Sequence, residues 1–295
     1  MYNANANHSH LHLQSLIYPL PLLTIRSASV GTQSEEKTMA GLEPQTITEV
    51  HHWNETLFSF KTTRSKSLKF ENGHFVMLGL MVENRPLMRA YSIASANYSD
   101  ELEFFSIKVP DGPLTSRLQN IKVGDELLVS TKPTGTLVMD HLLPGKHLYL
   151  LATGTGLAPF LSIVQDPEVY ERYERVILVH GVRFKSELAY NELLTKDLQN
   201  NEYFGDQVRA KFMYYPTVTR ESFTNNGRIT DLMTSGKLFL DLGIPKPNIT
   251  SDRFMLCGSP SMLKELCQIV DSRGFTESRH GSKGHYVIER AFVEQ

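Results

Sequence analysis

Hydrophobic and polar positions follow two different rhythms along this chain. From about Thr46 to Pro133, short apolar runs alternate with polar positions at a period of two, the pattern of half-buried strands. It predicts strands at Thr56–Arg64 (TLFSFKTTR), His74–Val82 (HFVMLGLMV), Arg89–Ser95 (RAYSIAS), Glu101–Val109 (ELEFFSIKV) and Asp125–Pro133 (DELLVSTKP). The turn signals ENG, DG and KVGD separate them, and short strands at this spacing indicate an antiparallel barrel or sandwich. Beyond LLPGK (Leu142–Lys146) the apolar runs become continuous. HLYLLAT, RVILVHGV, KFMYYPTVT and DRFMLCG read as buried strands, and GTGLAPFLSIV, SELAYNELLTKDLQ, RITDLMTSG and SPSMLKELCQIVDSRG read as helical segments between and after them. Apolar strands alternating with helices predict a parallel sheet covered on both faces. The chain thus divides near residue 143 into a β half and a doubly wound α/β half.

The first forty or so residues differ from the rest. They are rich in Asn, His, Ser and Leu, with no acidic residue before Glu35 and one basic residue, Arg26, before Lys37. Such acid-poor segments fit a targeting peptide, but no charged stretch precedes the apolar run Leu16–Ile25, which Pro19 and Pro21 interrupt. A disordered extension over residues 1–43, with translation starting upstream of Met39, is the expectation here. No run is long and apolar enough to span a membrane.

Composition removes several classes of function. With 30 basic against 32 acidic residues, the chain lacks the basic excess of a nucleic-acid binder. Its two cysteines, Cys257 and Cys267, are too few for a disulfide framework, a zinc site or an iron–sulfur cluster, and no metal is expected. A reducing compartment, the cytoplasm, fits best.

The candidate chemistry lies at strand ends. ATGTGLAPF (Ala152–Phe160) follows the first α/β strand and opens a helix. Gly154 and Gly156 let backbone approach a diphosphate, and Pro159 suits a first helical turn. Arg183 closes the second strand, Arg220 ends the third and Arg228 opens a helix; ligands of open α/β sheets bind beyond these strand ends. Arginine forks suit a 2′-phosphate, which favours NADP(H) over NAD, although for any one arginine pairing with an acid, such as Arg220 with Glu221 or another surface acid, is the commoner case. Cys257, in FMLCGSPSML, reads as a buried strand-end cysteine with no neighbouring base to activate it. In the β half, Thr115 and Ser116 of SIKVPDGPLTSRL either bind a second diphosphate or cap a short helix. MRAYSIASAN (Met88–Asn97) places a cation, a ring and a small hydroxyl together. Alternation puts Arg89, Tyr91 and Ile93 on one face and Ala90, Ser92 and Ala94 on the other.

RAYS, IKVPDGPLTSRL, ATGTGLAPF, VHGVR, TVTRE…GRIT, MLCGSPSM and the terminal ERAFVEQ occur in order. Together, over about Pro44–Gln295, they resemble the bacterial-type ferredoxin–NADP+ (flavodoxin) reductases. The resemblance implies a six-stranded antiparallel FAD-binding barrel over 44–143 and an NADP(H)-binding α/β domain over 144–295, with a C-terminal tail over FAD. It implies that Arg89 neutralises the FAD diphosphate, that Tyr91 lies against the isoalloxazine, and that Ser92 sits near flavin N5. Ala90, Ile107, Lys108 and Val109 would border FAD, Gly112, Leu114, Thr115 and Ser116 would hold its diphosphate, and Thr153 would touch the flavin. Ala291 would lie on the ring, where plant-type relatives have a terminal tyrosine, and Phe292 would fold along the adenosine. Arg183, Thr219, Arg220 and Arg228 would bind the 2′-phosphate end of NADP(H); Thr155, Gly156, Cys257, Gly258 and Ser259 would hold the rest. Ser92, Cys257 and Glu289 would shape the reacting site, Glu289 as a proton relay or as an exposed terminal charge. A monomer passing electrons to ferredoxin or flavodoxin follows. The alternatives are an oxygenase reductase component, a free-flavin or ferric reductase, and a nucleotide-binding module without turnover.

Overall fold

The computed structural model describes residues 41–279 and 281–290. The expectations for residues 1–40, and those for Ala291 and Phe292, lie outside the described residues.

Six antiparallel strands form the first sheet: β1 (Leu42–His52), β2 (Leu57–Thr62), β3 (Phe75–Val82), β4 (Arg85–Ser92), β5 (Leu102–Ile107) and β6 (Glu126–Ser130), in the order β4-β3-β6-β1-β2-β5. The two edge strands meet. β4 pairs with β3 as far as Ser92, opposite Phe75. One residue later the chain changes partner: Ile93 bridges Phe104 of β5, and Ala94 N donates to Glu103 O at 2.8 Å. This corner closes the sheet into a barrel, filled by Phe58, Phe60, Val76, Leu78, Ile93 and Phe104. β1 is almost invisible to a hydrophobic pattern, because Gln45 and Ile47 are its only fully buried side chains.

The second sheet is parallel: β7 (His147–Thr153), β8 (Arg175–Val182), β9 (Phe212–Val218), β10 (Asp252–Gly258) and β11 (Tyr286–Arg290), in the order β11-β10-β7-β8-β9. The order runs outward in both directions from β7, so the topological switch point lies between β7 and β10, where such sheets open a crevice beyond their carboxyl ends. β10 is buried along its whole length, as a central strand covered on both faces must be. Its covering helices include Ala158–Val164 on one face and Ile229–Ser235 and Pro260–Asp271 on the other.

One core crosses the boundary between the sheets. Leu57, Phe105 and Leu137 of the barrel half pack in the same cluster as Phe160, Leu161 and Val164 of the helix after β7. Each such side chain contributes about 2–3 kcal/mol on burial. A polar hub lies beside it: Asn72 donates to Asp166 Oδ2 at 2.7 Å and accepts from Ser162 Oγ and Asn97 N, each at 2.8 Å.

One predicted helix is not regular. SELAYNELLTKDLQ forms a 3-10 turn at Lys185–Glu187, a π turn at Leu193–Asp197 and a 3-10 turn at Leu198–Asn200. Between them Tyr190 takes a left-handed conformation, φ 59°. The reason is tertiary. Tyr190 reaches the barrel, where its hydroxyl donates to Glu103 Oε1 at 2.7 Å and its ring lies 4.6 Å from that of Trp53 and 5.3 Å from that of Phe105.

Candidate functional site

The barrel side of the site is the closing corner. Tyr91 is buried, edge-on to Phe104, with its hydroxyl 3.2 Å from Ser106 Oγ; burial raises its pKa. Arg89 and Ala90 are exposed and Ser92 half-buried. Alternation holds here: Arg89 pairs with Leu78 and Tyr91 with Val76, both core-facing, but on that shared face Tyr91 is buried while Arg89 is exposed. Arg89 bonds only to the carbonyl of Met88, at 2.8 Å, and forms no ion pair among the described residues.

Beyond β5, Ile107 is half-buried and Lys108 Nζ donates to Asn54 O at 3.0 Å. The carbonyl of Val109 accepts Gly112 N at 3.0 Å and Thr115 Oγ1 at 3.2 Å, tightening the Pro-Asp-Gly-Pro turn. A Cβ on Gly112 would stand 2.2 Å from that Thr115 hydroxyl. Leu114 is buried and begins the helix Thr115–Leu118 with no side-chain cap. Capping by Thr115 or Ser116 is thus absent; the threonine hydroxyl is spent on the turn.

The α/β side is built from two glycine turns at the switch point. After β7, Gly154 adopts φ 54° and Gly156 abuts the β10 turn, so close that a Cβ would stand 2.5 Å from Cys257 O. Gly258 has φ 157° and touches Thr153, whose Oγ1 accepts Ser259 N at 3.3 Å. The buried Thr155 Oγ1 has no partner. Ser259 caps the helix Pro260–Asp271 through Met262 N at 3.4 Å.

Across the sheet, Cys257 lies in register between Ala152 and Glu289. Burial, with the Glu289 carboxylate beside it, pushes the thiol well above its usual range, so Cys257 is a neutral thiol and no nucleophile. Glu289 is not an exposed terminal charge. Its Oε1 accepts Thr136 N at 3.2 Å, its Oε2 is buried without a partner, and burial pushes its pKa up to about 7.

The arginines gather at the ends of β8 and β9. Arg220 N donates to Arg183 O at 2.9 Å, and Thr219 bonds to Val182 O through its amide at 3.1 Å and its hydroxyl at 3.2 Å. An open cleft of about 460 Å³ is lined by Thr219, Arg220, Glu221, Ser222, Phe223 and Asn226. Pairing of Arg220 with Glu221 is not found: Glu221 accepts the amide of Lys185, and Arg220 forms no ion pair among the described residues. Arg228 differs, because it pairs with Glu265 at 3.1 Å. The sequence pattern missed Glu187, which turns back to accept the amides of Arg183 at 2.8 Å and Phe184 at 3.2 Å.

These features fit two nucleotide-bearing ligands. Glycine turns without side chains allow phosphates to approach backbone N–H groups, and Arg89, Arg183 and Arg220 form no ion pair among the described residues. Among the described residues no cluster of three metal-ligating side chains occurs, and no helix is long and apolar enough to cross a membrane.

Comparison with known proteins agrees with this division. Residues 45–139 match the oxidoreductase FAD-binding domain family, and residues 150–268 match the oxidoreductase NAD-binding domain family. The chain is 67% identical to a ferredoxin–NADP reductase of Pseudomonas aeruginosa over 258 residues, covering 87% of this chain and all of that one. It is 51% identical to a flavodoxin/ferredoxin–NADP reductase of Rhodobacter capsulatus, covering 85% and 93%. A solved ferredoxin NADP+ reductase of Neisseria gonorrhoeae, with bound FAD and NADP, superposes with a TM-score of 0.78 at 31% identity, covering 85% of this chain and 99% of that one. A closed barrel, a sheet with its switch point at two glycine turns, and identity this high over nearly the whole of its relatives have one explanation: the chain belongs to the ferredoxin–NADP reductase family of oxidoreductases.

Proposed function

We propose that the protein oxidises NADPH on FAD and delivers the electrons singly to ferredoxin or flavodoxin. The observation that carries this reading is the meeting of the Gly154–Gly156 and Gly258 turns at the switch point, beside a core in which Leu157 and Cys257 of those turns pack with Leu57 and Phe105 of the barrel half. FAD, when bound, supplies the conversion between paired and single electrons. The protein binds, orients and excludes water.

In this proposal residues 44–143 hold FAD and residues 144–295 hold NADP(H). Arg89 neutralises the FAD diphosphate with Ile107, Lys108, Val109, Gly112, Leu114, Thr115 and Ser116 along the same path. Tyr91, fixed by Ser106, presents its ring to the isoalloxazine, and Ala90, Ser92 and Thr153 border it. Thr155, Gly156, Cys257, Gly258 and Ser259 cradle the nicotinamide nucleotide. Arg183, Thr219, Arg220 and Arg228 receive its 2′-phosphate, which excludes NADH by leaving the cations unpaired. Glu289, raised by burial to a pKa of about 7, would take up or release a proton where the two ligands meet. Both halves of the site come from one chain, which supports a monomer; two free cysteines support the cytoplasm.

Anaerobic titration with NADPH and, separately, NADH tests the reading. The flavin absorbance bleaches with NADPH and poorly with NADH, and the reduced protein then reduces a ferredoxin or flavodoxin. Bound flavin that NADPH fails to bleach defeats the proposal.

A further inference from the structure

His180 is fully buried in β8, in register between Ala152 of β7 and Pro216 of β9. An imidazole inside an apolar sheet is costly unless both ring nitrogens find partners. They do. Nε2 lies 3.2 Å from the carbonyl oxygen of Gly154, and Nδ1 lies 3.5 Å from the hydroxyl of Tyr214. A carbonyl only accepts, so Nε2 carries the proton, Nδ1 offers its lone pair, and Tyr214 donates to it. Burial lowers the pKa of His180 to about 4, so the ring stays neutral and in this tautomer near pH 7.

The partner matters because of where it sits. Gly154 is the first residue of the turn after β7, in a left-handed conformation with φ 54°. Open space surrounds the position its Cβ would take, so the glycine is required by backbone conformation and not by crowding. In a trans peptide the C=O and the following N–H point in opposite directions. A Gly154 carbonyl drawn inward to His180 therefore sends the Thr155 N–H outward, toward the crevice at the switch point.

We infer that His180 is a positioning residue for NADP(H): it holds the Gly154 carbonyl so that the turn presents its amides to the ligand, and Tyr214 fixes the tautomer that does so. The inference rests on the proposed NADP(H) site. Bleaching of the wild-type flavin by NADPH tests that site separately, before any variant is made.

The variants are His180→Leu, His180→Gln and His180→Asn, with NADPH oxidation followed using ferricyanide as acceptor. The glutamine amide nitrogen reaches as far as Nε2, whereas asparagine falls one methylene short. Loss of one buried hydrogen bond is expected to raise the KM for NADPH about fivefold in the Leu and Asn variants, with kcat and FAD content close to wild type. The Gln variant is expected to restore most of the difference. A merely structural histidine would lower the melting temperature in all three and leave KM unchanged. A wild-type KM in either the Leu or the Asn variant, or a Gln variant no better than Asn, overturns the inference. Should none of the three fold, Tyr214→Phe decides: a raised KM supports the inference and an unchanged one overturns it.

Discussion

Gly156 and Cys257 meet backbone to backbone at the switch point: a Cβ on the glycine would stand 2.5 Å from the cysteine's carbonyl oxygen and 2.9 Å from Gly258 N. Neither neighbour is a flexible side-chain end. The turns after β7 and β10 are packed as one surface, and any side chain at 156 must part them.

Gly156→Ala therefore separates the two turns. The expected loss of stability is about 1–3 kcal/mol, the range for overpacking a close-packed site. NADPH binding falls while FAD content is retained, since the barrel corner is untouched. Thermal melting and the anaerobic titration measure the two effects. Unchanged NADPH affinity would show that the turns do not act together.

Glu289 gives a pH dependence with a definite sign. Burial raises its pKa from 4.5 to about 7. Between those values the unfolded chain has released the proton and the folded chain has kept it, so stability falls as pH rises through this window. Glu289→Gln removes that loss. Its gain in melting temperature over wild type is expected to be larger at about pH 8 than at about pH 5. An equal gain at both would contradict the buried assignment.

Arg220 and Arg228 separate a free cation from a paired one. Arg220→Ala is expected to lower the preference for NADPH over NADH about tenfold or more, the worth of a charge-assisted hydrogen bond to phosphate. Arg228 already faces Glu265, so Arg228→Ala is expected to change the preference less. Steady-state kcat/KM with both nucleotides measures this. The reverse order would move the 2′-phosphate to the helix that Arg228 opens.

Tyr190→Phe removes the hydroxyl that donates to Glu103 at 2.7 Å. Burial already raises the pKa of that carboxyl, and the lost bond leaves it less satisfied. The expected cost is about 1–2 kcal/mol, read as a lower melting temperature with β8 and β9 intact. No change in melting would mean the other contacts between the halves, among them the Asn72 hub, the Thr136–Glu289 bond and the shared core, hold them without it.

Much of this architecture was readable in advance because its signals are local. Continuous apolar strings such as HLYLLAT and DRFMLCG mark strands that must be covered on both faces, and Gly154, Gly156 and Gly258 mark the turns after them. What escaped is set by distant partners. β1 buries too little for its pattern to show, and β11 is five residues long. SELAYNELLTKDLQ carries helical spacing, yet the chain breaks there because Tyr190 is drawn to Glu103, eighty-seven positions away in sequence. Alternation puts Arg89 and Tyr91 on one face of β4, but it does not give the burial of one and the exposure of the other. Burial raises the pKa of Glu289 although Thr136 donates to it, and Glu221 accepts the Lys185 amide while Arg220 forms no ion pair among the described residues. Neither relationship leaves a trace in spacing.

Trp53 is the chain's one tryptophan, and its ring lies against Tyr190 at the seam. Its indole nitrogen is tied to Ser59 Oγ at 3.1 Å, so it travels with the barrel. Any parting of the seam exposes a single emitter to water. The protein thus contains a built-in optical gauge: the colour and lifetime of one fluorophore follow the joint between the barrel and the α/β half, with no label attached.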